Sequence, residues 1–161
     1  MISSIQYNNY PNNKLLSFKG EEKPVKASIF YINDLHGQNI RMERMFNAVS
    51  QFDAFTPQGT DKMKFASGDI MLGEDERHVK VANKFLNIAG FLATALGNHE
   101  CDMPTKEFTQ VIKDKKYKLL GLNLNPSQNN PISPMIEKSY IQEINGHKYG
   151  IIGLVDRKSV V

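Results

Sequence analysis

Residues 25–37 read VKASIFYINDLHG, and this stretch decides the fold. Its first part is short, mostly apolar and rich in β-branched and aromatic side chains, which is typical of a buried strand. Its last part is a polar turn that contains Asp34 and His36. A buried strand that ends in potential ligand side chains predicts an α/β protein with a site at the end of that strand.

The same unit recurs along the chain. Short apolar runs alternate with stretches in which apolar residues recur every three or four positions, the pattern of an amphipathic helix. This alternation predicts the order β-α-β-α-β-α-β followed by a hairpin, with parallel strands and crossover helices. The predicted strands are 25–32, 62–66, 91–96 and 117–124, the predicted helices are 40–52, 76–89 and 104–115, and the predicted hairpin strands are 139–144 and 148–155 around Asn145-Gly146.

Polar side chains that can bind a metal follow three of the predicted strands. Since parallel strands end at one edge of a sheet, we expect these side chains to lie near one another. Oxygen and imidazole donors of this kind suit Zn, Mn or Fe better than metals that prefer thiolates. The residues are Asp34 and His36 after the first strand, Asp69 after the second, and Asn98, His99 and Asp102 after the third.

Composition narrows the class of protein without identifying it. The chain has 161 residues with a net charge of +3, and it contains one cysteine. One cysteine excludes an intrachain disulfide framework, and the weak positive charge does not indicate a nucleic-acid partner. No apolar run approaches the length of about 20 residues that a membrane-spanning helix needs. Residues 1–24 are polar and rich in asparagine, so we expect a flexible leader rather than a secretory signal, and a cytoplasmic location.

The three motifs together resemble those of calcineurin-like metallophosphoesterases. The blocks NDLHG at 33–37, SGD at 67–69 and GNHECD at 97–102 are most similar to the 5′-nucleotidase branch, and the resemblance extends over residues 25–155. It implies the N-terminal half of a four-layer α/β/β/α sandwich. It also implies a hydrolase that uses two divalent metal ions of the Zn, Mn or Fe class on a small phosphorylated substrate, such as a nucleotide.

The resemblance also implies a role for each matching residue. Asp34 and His36 bind one metal ion, Asp69 bridges both ions, and Asn98 binds the second. His99 stabilises the transferring phosphoryl group or protonates the leaving oxygen, while Asp102 orients His99. Cys101, Glu100 and Asn123 are interpreted as structural or supporting residues rather than as ligands.

Part of the family's ligand set has no counterpart in this sequence. The family has three further histidines after the third block, two of them in a Gly-His-x-His turn, whereas only His147 follows here, in the predicted hairpin, where we interpret it as a surface turn residue. We therefore expect residues 25–155 to be a partial domain that is weakly active or inactive by itself. Residues 156–161, DRKSVV, follow an apolar strand abruptly and can be back-translated into a sequencing adapter, so they are interpreted as a non-native tail; a genuine charged tail is the alternative.

Two other functions remain open at this point. One is a protein that binds a metal or a phosphate-bearing ligand without turnover. The other is a metallophosphoesterase of the phosphodiesterase or protein-phosphatase type. The sequence does not determine the oligomeric state.

Overall fold

The structure is a computed structural model that describes residues 25–156. The leader predicted for residues 1–24 and residues 157–161 of the predicted tail lie outside the described residues. Among the described residues, no helix is both long enough and apolar enough to cross a membrane.

Five parallel strands form one sheet, and two antiparallel strands form a separate hairpin. The order of strands in the sheet follows the order in the chain, which confirms the predicted alternation of strands and helices. The sheet strands are β1 (Ala27–Ile32), β2 (Asp61–Ala66), β3 (Ala93–Ala95), β4 (Lys118–Leu120) and β5 (Ile136–Glu137). The helices are α1 (Asn39–Phe55), α2 (Glu76–Ile88) and α3 (Thr105–Val111), and the hairpin strands are β6 (Ser139–Ile144) and β7 (His147–Ile152).

Several element boundaries differ from the prediction. Strands β3 and β4 have three residues each, and α3 ends at Val111, so each is shorter than its apolar pattern. After β4 the chain turns back, with the Leu124 N–H donating to the Gly121 carbonyl oxygen. Strand β5 was not predicted, because two residues are too few to show a periodic pattern.

The helices cover one face of the sheet and form the main core with it. Met42 and Val49 of α1 and Val79 and Leu86 of α2 are all buried. Phe30 of β1 packs against a ring of α1, Phe52, at a centroid distance of 5.5 Å. Because side chains alternate along a strand, the residues on either side of Phe30 face away from the helices.

The hairpin lies on the opposite face of the sheet and is anchored by Asp61. This carboxylate, 1% exposed at the start of β2, accepts hydrogen bonds from Asn145 Nδ2 and His147 Nδ1, each at 2.7 Å, and from the Tyr149 hydroxyl at 2.5 Å. Gly153 packs on Leu120 farther along the sheet. His147, which we interpreted as a surface turn residue, therefore holds the hairpin on the sheet even though its side chain is 46% exposed.

We expect Asp61 to keep the hairpin docked at neutral and mildly acidic pH. The hydrogen bond from Tyr149, with those from Asn145 and His147, lowers the pKa of Asp61 below its usual 3.8 against the opposing effect of burial. A lowered pKa in the folded state means that this stabilisation is present above pH 3.8 and is lost as the pH falls through the folded-state pKa. Hydrogen exchange of the β6 and β7 amides should show release of the hairpin below pH 3.8. In Asp61→Asn the hairpin should be loose at neutral pH, whereas tight docking in this variant would contradict the anchoring role.

Part of the face that carries the hairpin is uncovered in the described structure. Ile29 and Tyr31 of β1 are 58% and 70% exposed, and Ile152 and Leu154 at the end of the hairpin are also exposed. These side chains form an apolar surface on residues 25–156.

Candidate metal centre

The turns after β1 and β2 are joined by backbone hydrogen bonds. The parallel register pairs Ile32 with Ala66, so both strands end at the same level. Beyond them, the Asp34 N–H donates to the Gly68 carbonyl oxygen at 3.3 Å, and the His36 N–H donates to the Asp69 carbonyl oxygen at 2.9 Å. The two turns therefore run side by side beyond the end of the sheet, which brings their side chains together.

Three candidate metal ligands have left-handed backbone conformations. The φ angles of Asp34, His36 and Asp69 are 55°, 53° and 52°. This conformation is less favourable than the right-handed one for a residue with a Cβ atom, although Asp and His adopt it more readily than most residues, and neighbouring contacts can stabilise it. Sequence patterns gave no signal that the ligand residues would adopt these angles.

The side chains of Asp34, His36 and Asp69 converge on one point. One ligand atom from each lies within 4.8 Å of the other two. His36 Nε2 is 3.5 Å from Asp34 Oδ1, and it is buried with no hydrogen-bond partner among the described residues. A buried imidazole nitrogen without a partner, close to two carboxylates, fits a divalent cation, since such a cation would satisfy all three donors.

The turn after β3 lies directly against this cluster. His99 opens a 3₁₀ turn, His99–Cys101, and its N–H donates to Asp69 Oδ1 at 3.0 Å. The His99 ring is 4.6 Å from the His36 ring, measured between centroids. The side chain of Asn98, the residue before this turn, makes no capping hydrogen bond. All three sequence motifs therefore meet at one edge of the sheet, while the metal-binding role of each residue stays a prediction.

His99 and Asp102 form a hydrogen-bonded pair. His99 Nδ1 is 2.7 Å from Asp102 Oδ2, and the side chains are 28% and 30% exposed. The hydrogen bond to Asp102 raises the pKa of His99 above its usual 6.5, against the opposing effect of partial burial. Asp102 therefore occupies Nδ1 of the His99 ring and fixes the orientation of that ring.

Glu100 is a buried carboxylate, 4% exposed, beneath the same turns. Its Oε2 accepts the N–H groups of Asp69 at 3.0 Å and Gly97 at 2.6 Å, and its Oε1 accepts those of Ile70 and Met71 at 3.0 Å each. Burial raises the pKa of this carboxyl above its usual 4.5, whereas the N–H donors act in the opposite direction. Both oxygens bind backbone, in keeping with the interpretation of Glu100 as a supporting residue.

Comparison with known proteins finds one similar curated protein and several solved structures with a similar fold. No family model matches the chain. Protein UshA of Escherichia coli (strain K12) is 27% identical over 115 residues, which are 65% of this chain and 21% of UshA. The solved structure of Haemophilus influenzae NAD nucleotidase covers 84% of this chain and 27% of its own, with 20% identity and a TM-score of 0.71.

Two further structures agree with these. A 5′-nucleotidase precursor from Thermus thermophilus covers 81% of this chain and 29% of its own, with 18% identity and a TM-score of 0.63. The calcineurin-like phosphoesterase YfkN from Bacillus subtilis covers 81% and 48%, with 14% identity and a TM-score of 0.55. The chain has the fold of the N-terminal domain of 5′-nucleotidases. It spans about a fifth of the length of the curated relative it matches.

Within this fold, Asn123 connects the end of the hairpin to the turn after β4. Its Nδ2 donates to the Val155 carbonyl oxygen at 2.6 Å, and its Oδ1 accepts the Val155 N–H at 3.0 Å. The side-chain amide of Asn123 thus bonds both backbone groups of Val155, as the backbone of a neighbouring strand would. Cys101 Sγ lies 3.9 Å from the Gly97 carbonyl oxygen, and its structural role stays a prediction.

His78 packs against the first turn of the candidate site, a contact that the sequence did not indicate. A Cβ atom added to Gly37, the residue after His36, would lie 2.5 Å from His78 Cβ. The start of α2 therefore packs directly on the first turn, and His78 Nδ1 is buried there with no hydrogen-bond partner among the described residues. A histidine in a charged helix start carries no sequence signal for such a contact.

Proposed function

We propose that residues 25–156 carry the first part of the active site of a metal-dependent phosphoester hydrolase of the 5′-nucleotidase type. The observation that supports this most is the convergence of Asp34, His36 and Asp69, with ligand atoms within 4.8 Å of one another, beside the His99–Asp102 pair. The proposed substrate is a small phosphorylated molecule, and the relatives named as nucleotidases favour a nucleotide.

Each residue has a proposed task in this reaction. Asp34 and His36 would hold one divalent cation, Asp69 would contribute to both ions, and Asn98 would hold the second. When bound, such cations lower the pKa of coordinated water and neutralise phosphate charge. Waters or further groups would complete the coordination, because four side chains are few for two ions.

The His99–Asp102 pair acts on the substrate itself. Asp102 fixes the ring through Nδ1, which sets its orientation and raises its pKa. When protonated on Nε2, His99 can donate that proton to the departing oxygen of the ester, or donate a hydrogen bond to the phosphoryl group. Since the pair already lies beside Asp69, this requires no rearrangement of the turn.

The proposal is tested by phosphate release from a 5′-mononucleotide and from an aryl phosphate in the presence of Mn²⁺. We expect slow release that a chelator abolishes, because the four proposed ligand side chains are few for two ions. His99→Ala should reduce the rate by about 100-fold or more while Mn²⁺ binding is retained, since proton donation contributes about 10²–10⁴-fold. The control is His147→Ala, which removes a histidine at the opposite end of β2 and should leave the rate unchanged.

The outcomes separate the alternatives. Mn²⁺ and phosphate binding without measurable release would favour a binding protein that does not turn over. Faster cleavage of an aryl phosphodiester than of the monoester would favour the phosphodiesterase type. Release that is insensitive to the chelator would refute the proposed metal dependence.

A further inference from the structure

We propose that Glu100 is a positioning residue: it holds Asp69 in the left-handed conformation that presents its carboxylate to Asp34 and His36. The inference rests on the proposed function only for the identity of the metal centre. The contacts that support it are hydrogen bonds from backbone N–H groups to the Glu100 carboxylate.

The arrangement of donors around Glu100 is specific to the second turn. Three of its four hydrogen bonds come from the consecutive N–H groups of Asp69, Ile70 and Met71. Successive N–H groups point to one centre when a residue in the run is left-handed, which forms a concave anion-binding nest. Asp69 supplies that left-handed residue, with φ at 52°. The protein fills this nest with its own carboxylate.

A second carboxylate ties the same two turns in the reverse direction. Glu100, in the third turn, binds the backbone of the second turn, while Asp69, in the second turn, accepts the backbone N–H of His99 in the third at 3.0 Å. His99 and Glu100 are neighbours in the chain, so each turn fixes the other. The fourth donor to Glu100 is the Gly97 N–H at 2.6 Å, which lies just after β3. These hydrogen bonds therefore link the second turn, the third turn and the end of β3.

The hydrogen bonds between the second and third turns explain how Asp69 can serve as a ligand in a left-handed conformation. Asp69 would relax toward the right-handed region if its N–H were free, because a left-handed residue with a Cβ is unfavourable. That relaxation would move its carboxylate away from the other two ligands. An apolar side chain at position 100 would leave four N–H groups buried without acceptors, so the site requires an acceptor with two oxygens.

Glu100→Gln tests the proposal, because glutamine keeps the shape but turns one oxygen into a donor that faces two N–H groups. We expect the amides of Asp69, Ile70 and Met71 to lose hydrogen-exchange protection in the metal-free variant, while β1 and β2 keep theirs. We also expect Mn²⁺ affinity, measured by electron paramagnetic resonance under conditions where the variant is folded, to fall about tenfold or more. The matched control is Asp61→Asn, since it also converts a buried, multiply hydrogen-bonded carboxylate to an amide, but at the other end of β2.

If Glu100 acted only through the overall stability of the fold, Mn²⁺ affinity would fall alike in Glu100→Gln and Asp61→Asn. Unchanged protection at residues 69–71 together with Mn²⁺ affinity within about twofold of wild type would overturn the proposal. If Glu100→Gln does not fold, Glu100→Asp replaces it, and the same local loss of protection is expected because the shorter side chain cannot reach all four donors. If the wild-type chain binds no Mn²⁺, the proposed function fails, and exchange at residues 69–71 still decides the role of Glu100.

Discussion

Gly97→Ala is expected to lower the free energy of unfolding by about 3 kcal/mol, because the added methyl group has no space. A Cβ atom at this position would lie 2.2 Å from Asp69 Oδ1 and 2.5 Å from the Asp69 nitrogen. Asp69 cannot yield easily, since Glu100 and His99 both hold it. Gly68 makes a similar approach from the second turn, where its own Cβ would meet the Gly97 backbone nitrogen at 2.7 Å. Urea denaturation followed by circular dichroism measures the effect.

Two other glycines provide controls for this prediction. Gly150→Ala adds a methyl group in open space and should change stability by less than about 0.5 kcal/mol. Gly146→Ala also points into open space, but its φ of +83° should cost about 1 kcal/mol through backbone strain alone. If Gly97→Ala costs no more than Gly146→Ala, the close contact between the second and third turns is not a tight constraint.

Asp69→Asn is expected to reduce Mn²⁺ affinity by about 100-fold or more with little change in stability. The amide can keep its oxygen toward the His99 N–H, which preserves the contact between the turns. It removes the negative charge that faces the other two ligand residues, so cation binding loses the ligand proposed to be shared by both ions. Isothermal titration calorimetry with Mn²⁺ measures the loss, and thermal unfolding checks that the fold is intact.

Asp75→Asn is the matched control for this substitution. Asp75 is the N-cap of α2 and accepts the Arg77 N–H at 2.8 Å, and asparagine is an equally good N-cap. This variant removes one negative charge outside the ligand cluster, and we expect its Mn²⁺ affinity to match wild type. Equal losses in the two variants would indicate a general charge effect and would contradict a ligand role for Asp69.

Local sequence patterns predicted the order of the main elements and the edge of the sheet at which the three motifs meet. The short β-branched strands and amphipathic helices predicted the alternating order, and the parallel sheet confirms it. Parallel topology then places strand ends together, so the motifs that contain Asp34, Asp69 and His99 were expected at one edge, where they lie. These predictions succeeded because periodicity and chain direction are local properties.

The contacts that hold the site in place were outside the reach of such patterns. Glu100 was expected to be a supporting residue, but nothing in the sequence showed that it binds three amides about 30 positions earlier. The anchoring of His147 by Asp61 joins residues 86 positions apart and was not predicted. Each partner is set by where a turn comes to lie in three dimensions.

The sequence by itself determined the order of the elements, the parallel direction of the strands and the residue types at the strand ends. The left-handed φ angles of Asp34, His36 and Asp69 depend on the tertiary structure, as do the reciprocal hydrogen bonds between the second and third turns. The physical reason is that a left-handed residue with a Cβ is unfavourable in an isolated turn. Here distant parts of the chain supply hydrogen bonds that stabilise it at Asp69.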